Sequence, residues 1–352
     1  MTNSRKDDHV RLAEEHQRAR PGENEFDDVT FVHHALAAID VADVSLATSI
    51  GEIDWPLPIF INAMTGGTPK TGAINRDLAI AARETGVAMA SGSLSAYLSD
   101  PATAPSFAVI REENPHGFVL ANVNATASVD DARRAVDLLQ ANALQVHVNS
   151  VQEIVMPEGD RAFRSWPAQI ERIAAGVDVP VIVKEVGFGM SAETVALLAD
   201  LGVTAADVAG RGGTNFAAIE NSRRAEGDYS YLTSWGQSAP VSLLDAAECG
   251  LPLIASGGIR NPLDVARGLA LGGVAAGASG PFLTAVVDDG PETVISLVGT
   301  WLSHLTALMT VLGARNVCEL RRSDLVITGR VREFCESRGI DWRKYSSRSD
   351  AP

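Results

Sequence analysis

Eight short apolar runs, most of them followed by an amphipathic stretch, constrain the fold of this chain more than any other feature. The runs are Ile59-Phe60-Ile61, Val87-Ala88-Met89-Ala90, Phe118-Val119-Leu120-Ala121, Leu144-Gln145-Val146-His147, Val181-Ile182-Val183-Lys184, Ala206-Asp207-Val208, Leu253-Ile254-Ala255 and Val274-Ala275-Ala276. Helical periodicity fills residues 73–85, 129–140, 192–201 and 262–271 between them. A strand covered on both faces reads as an unbroken apolar run, and strand-then-helix repeated builds a parallel sheet. Eight such units in about 250 residues predict an α/β fold of the TIM (β/α)8 barrel type. An open doubly wound sheet would carry Gly-x-Gly-x-x-Gly after its first strand, where this chain has Asn62-Ala63-Met64-Thr65-Gly66-Gly67. Residues 1–352 read as a single domain, with 1–50 an N-terminal extension and roughly 310–352 a C-terminal one.

Charge excludes one broad class of partner. The formal net charge of −15 argues against nucleic acid, whose backbone is bound by clustered Lys and Arg. It also means that any anionic ligand must be held by local N–H groups, a few placed cations or a metal. Cys249, Cys318 and Cys335 show no C-x-x-C spacing, so neither a disulfide framework nor a thiolate zinc site is expected. The first eight residues carry no apolar stretch behind Arg5-Lys6, so a signal peptide is not expected and a reducing cytoplasm is. Residues 294–313 contain no Asp, Glu, Lys or Arg and are long enough for a bilayer. Ser296, Thr300, Ser303 and Thr310 nevertheless fall near one face, and Ile295, Val298, Leu302, Leu305 and Met309 lie away from it. That pattern describes an amphipathic helix on a core rather than a membrane span.

In a barrel of this kind the site lies at the C-terminal ends of the strands, and phosphate often sits on the loops after strands seven and eight. Ser256-Gly257-Gly258-Ile259 and Gly277-Ala278-Ser279-Gly280-Pro281 occupy those two places. Either alone reads equally well as a tight turn; together they favour a phosphate site, because glycine lets backbone N–H groups approach an anion. Lys184 ends strand five and brings either a functional cation, a Schiff-base amine included, or a salt bridge to a neighbour such as Glu185. After strand four, period-two alternation places His147 and Asn149 on one face, both able to donate to an oxyanion. Glu153 is a hard oxygen ligand suited to Mg²⁺, and Gln152 can orient a substrate without titrating. Gly210-Arg211-Gly212-Gly213-Thr214 offers a flexible loop with a hydroxyl. Arg5 and Lys6 read on their own as solvated tail charge.

Taken together, Arg5-Lys6-Asp7-Asp8-His9-Val10, Phe60 to Gly67, the Gln152 to Asp160 segment, Val183 to Gly189 and Gly212 to Asn215 resemble type 2 isopentenyl-diphosphate isomerase over nearly the whole chain. The resemblance implies an isomerase of isoprenoid synthesis that interconverts isopentenyl and dimethylallyl diphosphate, using reduced FMN, Mg²⁺ and NADPH as reductant. It implies that Ala63, Met64, Thr65, Ser93, Asn122, Lys184 and Thr214 surround the flavin, and that Gly257, Gly258, Ser279 and Gly280 take its phosphate. Arg5, Lys6, His147 and Asn149 would bind the diphosphate, Gln152 would lie by the isoprenyl part, and Glu153 would hold Mg²⁺. It also implies a homo-oligomer, a tetramer or octamer, with no membrane partner.

One position departs from the family pattern. Many relatives carry an arginine where this chain has Ser95, in Gly92-Ser93-Leu94-Ser95, so no cation is expected there. The resemblance implies a redox-neutral mechanism with reduced FMN as acid and base, and the residues offer no convincing carboxylate or histidine pair for the proton shuttling. Two other readings compete. An FMN-dependent 2-hydroxy-acid oxidase would need a histidine base after strand six, and Arg211 to Phe216 supplies none. A non-catalytic flavin or phosphate-binding barrel would have no evident use for Gln152-Glu153.

Overall fold

Eight parallel strands hydrogen-bond in sequence order and close on themselves in the computed structural model, which describes residues 2–19 and 24–349. They are β1 (Ile59–Ile61), β2 (Ala88–Ala90), β3 (Val119–Asn124), β4 (Ala143–His147), β5 (Val181–Lys184), β6 (Ala205–Asp207), β7 (Leu253–Ser256) and β8 (Gly273–Ala278). Ala276 opposite Ile59 and Ala278 opposite Ile61 close the ring. Each apolar run of the sequence therefore falls on its own strand. The chief difference is at β3, which continues past Ala121 and carries Asn122 and Asn124 to the mouth of the barrel.

Small side chains dominate the barrel interior: Ala88, Ala90, Ala143, Ala205 and Ala275 face Phe60, Leu120, Ile182 and Ile254. Alanines alone would leave the base of the barrel underfilled, and interiors are packed as densely as crystals. An antiparallel hairpin, Thr48–Ile50 with Ile53–Trp55, supplies the missing volume. Its Ile50 and Trp55 join the same interior cluster, with the Trp55 ring edge-on to Phe60 at 5.3 Å. The C-terminal ends of the strands are thereby left as the open end.

The two chain-end additions meet. Val29–Phe31 pairs antiparallel with Leu325–Ile327, and the segment before it packs on helix Gly329–Arg338. The apolar stretch at residues 294–313 forms helix Pro291–Val311, which is long and apolar enough to cross a membrane by length and composition. Val294, Val298, Trp301, Leu305 and Met309 are buried along one stripe against helices Pro69–Thr85, Pro262–Ala270 and Gly280–Asp289. Ser296, Thr300 and Ser303 are exposed, as the amphipathic reading expects, while Thr310 is half-buried; Trp301 belongs to the stripe and Ile295 and Leu302 only flank it.

The N-terminal segment read as solvated charge is a helix, Thr2–Arg18. Lys6, His9, Val10, Ala13 and Gln17 recur at helical spacing and all face the mouth of the barrel. The helix rests on helices Gly280–Asp289, Pro69–Thr85 and Phe216–Ser222. Thr68 Oγ1 donates to Asp7 Oδ1 at 2.8 Å, tying it to the start of Pro69–Thr85.

Candidate active site

A cavity of about 440 Å³ lies between the C-terminal ends of the strands and the N-terminal helix. Every site residue expected from the sequence lines it: Arg5, Lys6, Ala63, Met64, Thr65, Ser93, Asn122, His147, Asn149, Gln152, Glu153, Lys184, Thr214, Gly257, Gly258, Ser279 and Gly280. These come from the N-terminal helix and from the ends of all the barrel strands, so only closure of the barrel brings them together.

The late glycines form one end. Gly257 and Gly258 have φ of 86° and 83°, and a Cβ on Gly257 would stand 1.9 Å from the Gly210 carbonyl oxygen. Only glycine lets the loop after β7 lie against the loop after β6. Opposite them begins helix Gly280–Asp289, whose preceding residue, Ser279, makes no side-chain cap. A helix start of this kind presents free N–H groups and a positive dipole end to an anion. Thr65 Oγ1, buried at the same mouth, has no hydrogen-bond partner among the described residues. A buried hydroxyl without a partner is costly, which suits a bound ligand.

The other end gathers charge. Arg5 Nη1 lies 3.5 Å from Glu158 Oε1, and Arg223 Nη2 donates to the same oxygen at 2.9 Å. Burial, with the neighbouring Arg5 cation, lowers the Lys6 ammonium to about 8, against the pull of Glu220. Burial pushes His147 down to about 3, helped by Lys6 and Lys184, so its ring is neutral at ordinary pH. Among the described residues lining the cavity, the Lys and Arg side chains are Arg5, Lys6 and Lys184. Ser95 also lines it, its Oγ 2.8 Å from Ser93 Oγ, and brings no cation.

Asn149 reaches the cavity by a different route from the one its spacing suggests. β4 ends at His147, so strand alternation does not extend to Asn149, which instead starts the short helix Ser150–Val155. From there Asn149 Nδ2 donates to Glu153 Oε1 at 2.9 Å and Gln152 Oε1 at 3.2 Å. The second Glu153 oxygen accepts from the Asp160 N–H at 2.7 Å. No cluster of three or more His, Cys, Asp or Glu side chains suited to a metal occurs among the described residues, although Glu158 and Asp160 line the cavity with Glu153.

Three residues essential to this arrangement do not stand out in the sequence. Glu220, fully buried on helix Phe216–Ser222, accepts from Gln152 Nε2 at 2.9 Å and from Arg223, with His9 Nε2 at 2.9 Å. Burial alone would raise its pKa; His9, Gln152 and Arg223 outweigh burial and hold it at about 2. Gln145 and Asp207, both fully buried, belong to a polar chain across the floor of the cavity. His147 Nδ1 meets Asn122 Oδ1 at 2.8 Å, and Asn122 Nδ2 donates to Gln145 Oε1 at 3.1 Å. Gln145 Nε2 donates to Asn62 Oδ1 at 3.2 Å, and Asn62 Nδ2 to Asp207 Oδ2 at 2.8 Å. The available signal is a polar residue inside an otherwise apolar run, which costs free energy unless it is paired.

Lys184 does not pair with the Glu185 carboxylate. Its Nζ donates to the Glu185 backbone oxygen at 2.7 Å and lies 4.0 Å from Asp207 Oδ2. The Glu185 carboxylate instead accepts three N–H groups, from Val186, Gly187 and Phe188, and so fixes the turn after β5. Neither a histidine nor a cysteine lies in the loop after β6, where the cavity is lined by Gly210, Gly213, Thr214 and Phe216.

Residues 108–327 match the model of the FMN-dependent dehydrogenase family. Among solved structures, a flavocytochrome b2 variant with pyruvate bound superposes with a TM-score of 0.65 at 19% identity, over 88% of this chain and 78% of that one. A mandelate oxidase variant gives 0.61 at 18%, over 90% and 92%. At that identity the likeness speaks for the fold. Curated relatives are nearer in sequence: the isopentenyl-diphosphate delta-isomerase of Kitasatospora griseola is 63% identical over 99% of this chain and 95% of its own length. That of Streptomyces sp. (strain CL190) is 61% identical over 99% and 96%, and that of Staphylococcus haemolyticus (strain JCSC1435) 48% over 96% and 97%.

Fold and family model together define the class, an FMN-binding (β/α)8 barrel. Within that class the chain belongs to the isopentenyl-diphosphate delta-isomerase family, in its FMN-dependent type 2 form.

Proposed function

We propose that the cavity interconverts isopentenyl and dimethylallyl diphosphate, with the late-glycine end holding the FMN phosphate and the end built from Arg5, Lys6, His147 and Asn149 holding the substrate diphosphate. The observation that carries this reading is the coexistence of two anion-binding ends in one cavity, with no histidine or cysteine in the loop after β6. That absence also disfavours the 2-hydroxy-acid oxidase reading, since the fold likeness to such enzymes brings no base with it.

The residues fit the groups they would hold. The glycine cradle and the unpartnered Thr65 hydroxyl suit FMN, and Ala63, Met64, Ser93, Asn122, Lys184 and Thr214 complete its surroundings. A site with few carboxylates suits Mg²⁺, which keeps several waters and is bound through one or two carboxylates together with substrate phosphates. Glu153 would hold the ion against the diphosphate and supplement Arg5 and Lys6 where Ser95 supplies no charge.

When bound, reduced FMN would supply the acid–base chemistry for the allylic shift of the double bond. The chain's own residues position and enclose. Gln152, fixed by Glu220, lies beside the isoprenyl part, and neutral His147 is oriented by Asn122. The N-terminal helix lies along the mouth and would limit the access of water to the bound groups.

The test is an assay of the purified protein with isopentenyl diphosphate, FMN, NADPH and Mg²⁺ in D₂O. Deuterium-labelled dimethylallyl diphosphate is expected. Flavin uptake without product would favour a non-catalytic flavin barrel, and unlabelled product would count against proton addition and elimination. The same reading extends to a cytoplasmic homo-oligomer, a tetramer or octamer, measured by sedimentation.

A further inference from the structure

Asp207 is the most connected buried side chain at the mouth of the barrel, and the reaction as described above gives it no task. Its Oδ2 accepts from Asn62 Nδ2 at 2.8 Å and lies 4.0 Å from Lys184 Nζ. Its Oδ1 accepts from Ser256 Oγ and from the Ala209 N–H at 3.3 Å. The carboxylate thus ties together the ends of β1, β5, β6 and β7. Ala209, held at a φ of 35°, is one of two non-glycine residues with positive φ among those described, so the bond to its N–H secures a strained turn.

Charge makes Asp207 more than a bracket. It is fully buried, Lys184 is 8% exposed, and the Asp207 carboxylate is the one within 4.0 Å of the Lys184 ammonium among the described residues, while the buried Glu185 carboxylate also feels the Lys184 charge. A buried ammonium beside a buried carboxylate is nearly neutral from outside; removing that carboxylate leaves the positive charge less completely offset in a medium of low polarisability. We propose that Asp207 is a positioning residue that holds Lys184 and offsets its charge, and thereby sets the electrostatic environment of the flavin ring. This rests on the assignment of Lys184 to the flavin.

Reduction adds electrons to the flavin, so an unbalanced ammonium nearby favours the reduced form. The experiment compares the midpoint potential and FMN affinity of the wild-type holoenzyme with those of Asp207→Asn, Ser256→Ala and the double variant Lys184→Met/Asp207→Asn. Asp207→Asn is expected to bind FMN and shift its potential upward. Ser256→Ala, which removes a neutral donor and no charge, is expected to shift it much less, and the double variant is expected to lose most of the upward shift. An unchanged potential in a folded, flavin-loaded Asp207→Asn protein, with only thermal stability reduced, would overturn the proposal and leave a structural bracket. If Asp207→Asn does not fold, recovery of folding in the double variant supports the charge pairing, and failure of both overturns it. A wild-type protein that takes up no FMN would overturn the flavin reading and this proposal with it.

Discussion

Gln152 Nε2 donates to Glu220 Oε1 at 2.9 Å, joining the short helix after β4 to the one after β6 through a carboxylate with no exposed surface. The Gln152 amide is thereby fixed at both ends, since its Oε1 accepts from Asn149. Removing the amide with Gln152→Ala is expected to lower kcat/KM by about 100-fold, the scale of a misplaced reacting group. Steady-state kinetics on the folded variant would show it, and full turnover would remove Gln152 from the site. Glu220→Gln keeps the shape but loses the charge that His9 and Arg223 face, and is expected to weaken turnover through Gln152 and the seating of the N-terminal helix.

Lys6 gives the site an alkaline limit. Burial and Arg5 bring its pKa to about 8, so in the free protein the ammonium is lost as pH rises through that value. Substrate KM is expected to climb above about pH 8, while a bound diphosphate, favouring the charged form, pushes the Lys6 pKa back up. Lys6→Arg should move the rise in KM to higher pH, because a guanidinium keeps its proton. A KM profile identical in both proteins would assign the limit elsewhere.

His147 affects stability on the acid side. Its folded-state value of about 3 lies below the ordinary 6.5, so between these the unfolded chain binds a proton that the folded chain does not. Stability attributable to this group is therefore present above about pH 6.5 and is lost as pH falls toward 3. The steepest loss is about 1.4 kcal/mol per pH unit for one proton. Denaturant unfolding of His147→Gln across this range should show a flatter acid slope than the wild type; equal slopes would contradict it.

Two glycines with similar φ separate strain from contact. Gly86 has a φ of 74° and open space within 4 Å of where a Cβ would stand, whereas Gly257 has a φ of 86° and would bring a Cβ to 1.9 Å from its neighbour. Gly86→Ala is expected to cost about 1 kcal/mol and leave FMN binding intact. Gly257→Ala must displace the loop after β6 as well, and is expected to abolish FMN retention. Flavin content after gel filtration, alongside thermal unfolding, measures both.

The barrel was legible because strands covered on both faces must be apolar throughout, and each of the eight runs from Ile59 to Ala276 obeys this. The late glycines were legible for a similar reason, since few other residues tolerate a close approach of two loops. The roof was not. Helix Thr2–Arg18 shows to the barrel only a narrow stripe that includes Val10 and Ala13, too little apolar surface to stand out among its charges. Asp207 and Gln145 sat in plain view within strand runs, but their partners Asn62, Asn122 and Ser256 are 49 to 145 positions from Asp207 or 23 to 83 from Gln145. Glu220 depends on His9, brought from the far end of the chain by a helix that periodicity did not reveal.

The pairing of Val29–Phe31 with Leu325–Ile327 has a consequence for biosynthesis. The segment that leads into the barrel from the roof helix finds its partner strand only after residue 327 has been made. A nascent chain can close all eight strands and seat the roof helix on helices made before residue 290, yet still lack the strand that ties down Val29–Phe31. The last support of the N-terminal extension would then arrive late, with the emergence of the last few dozen residues, rather than growing with the barrel.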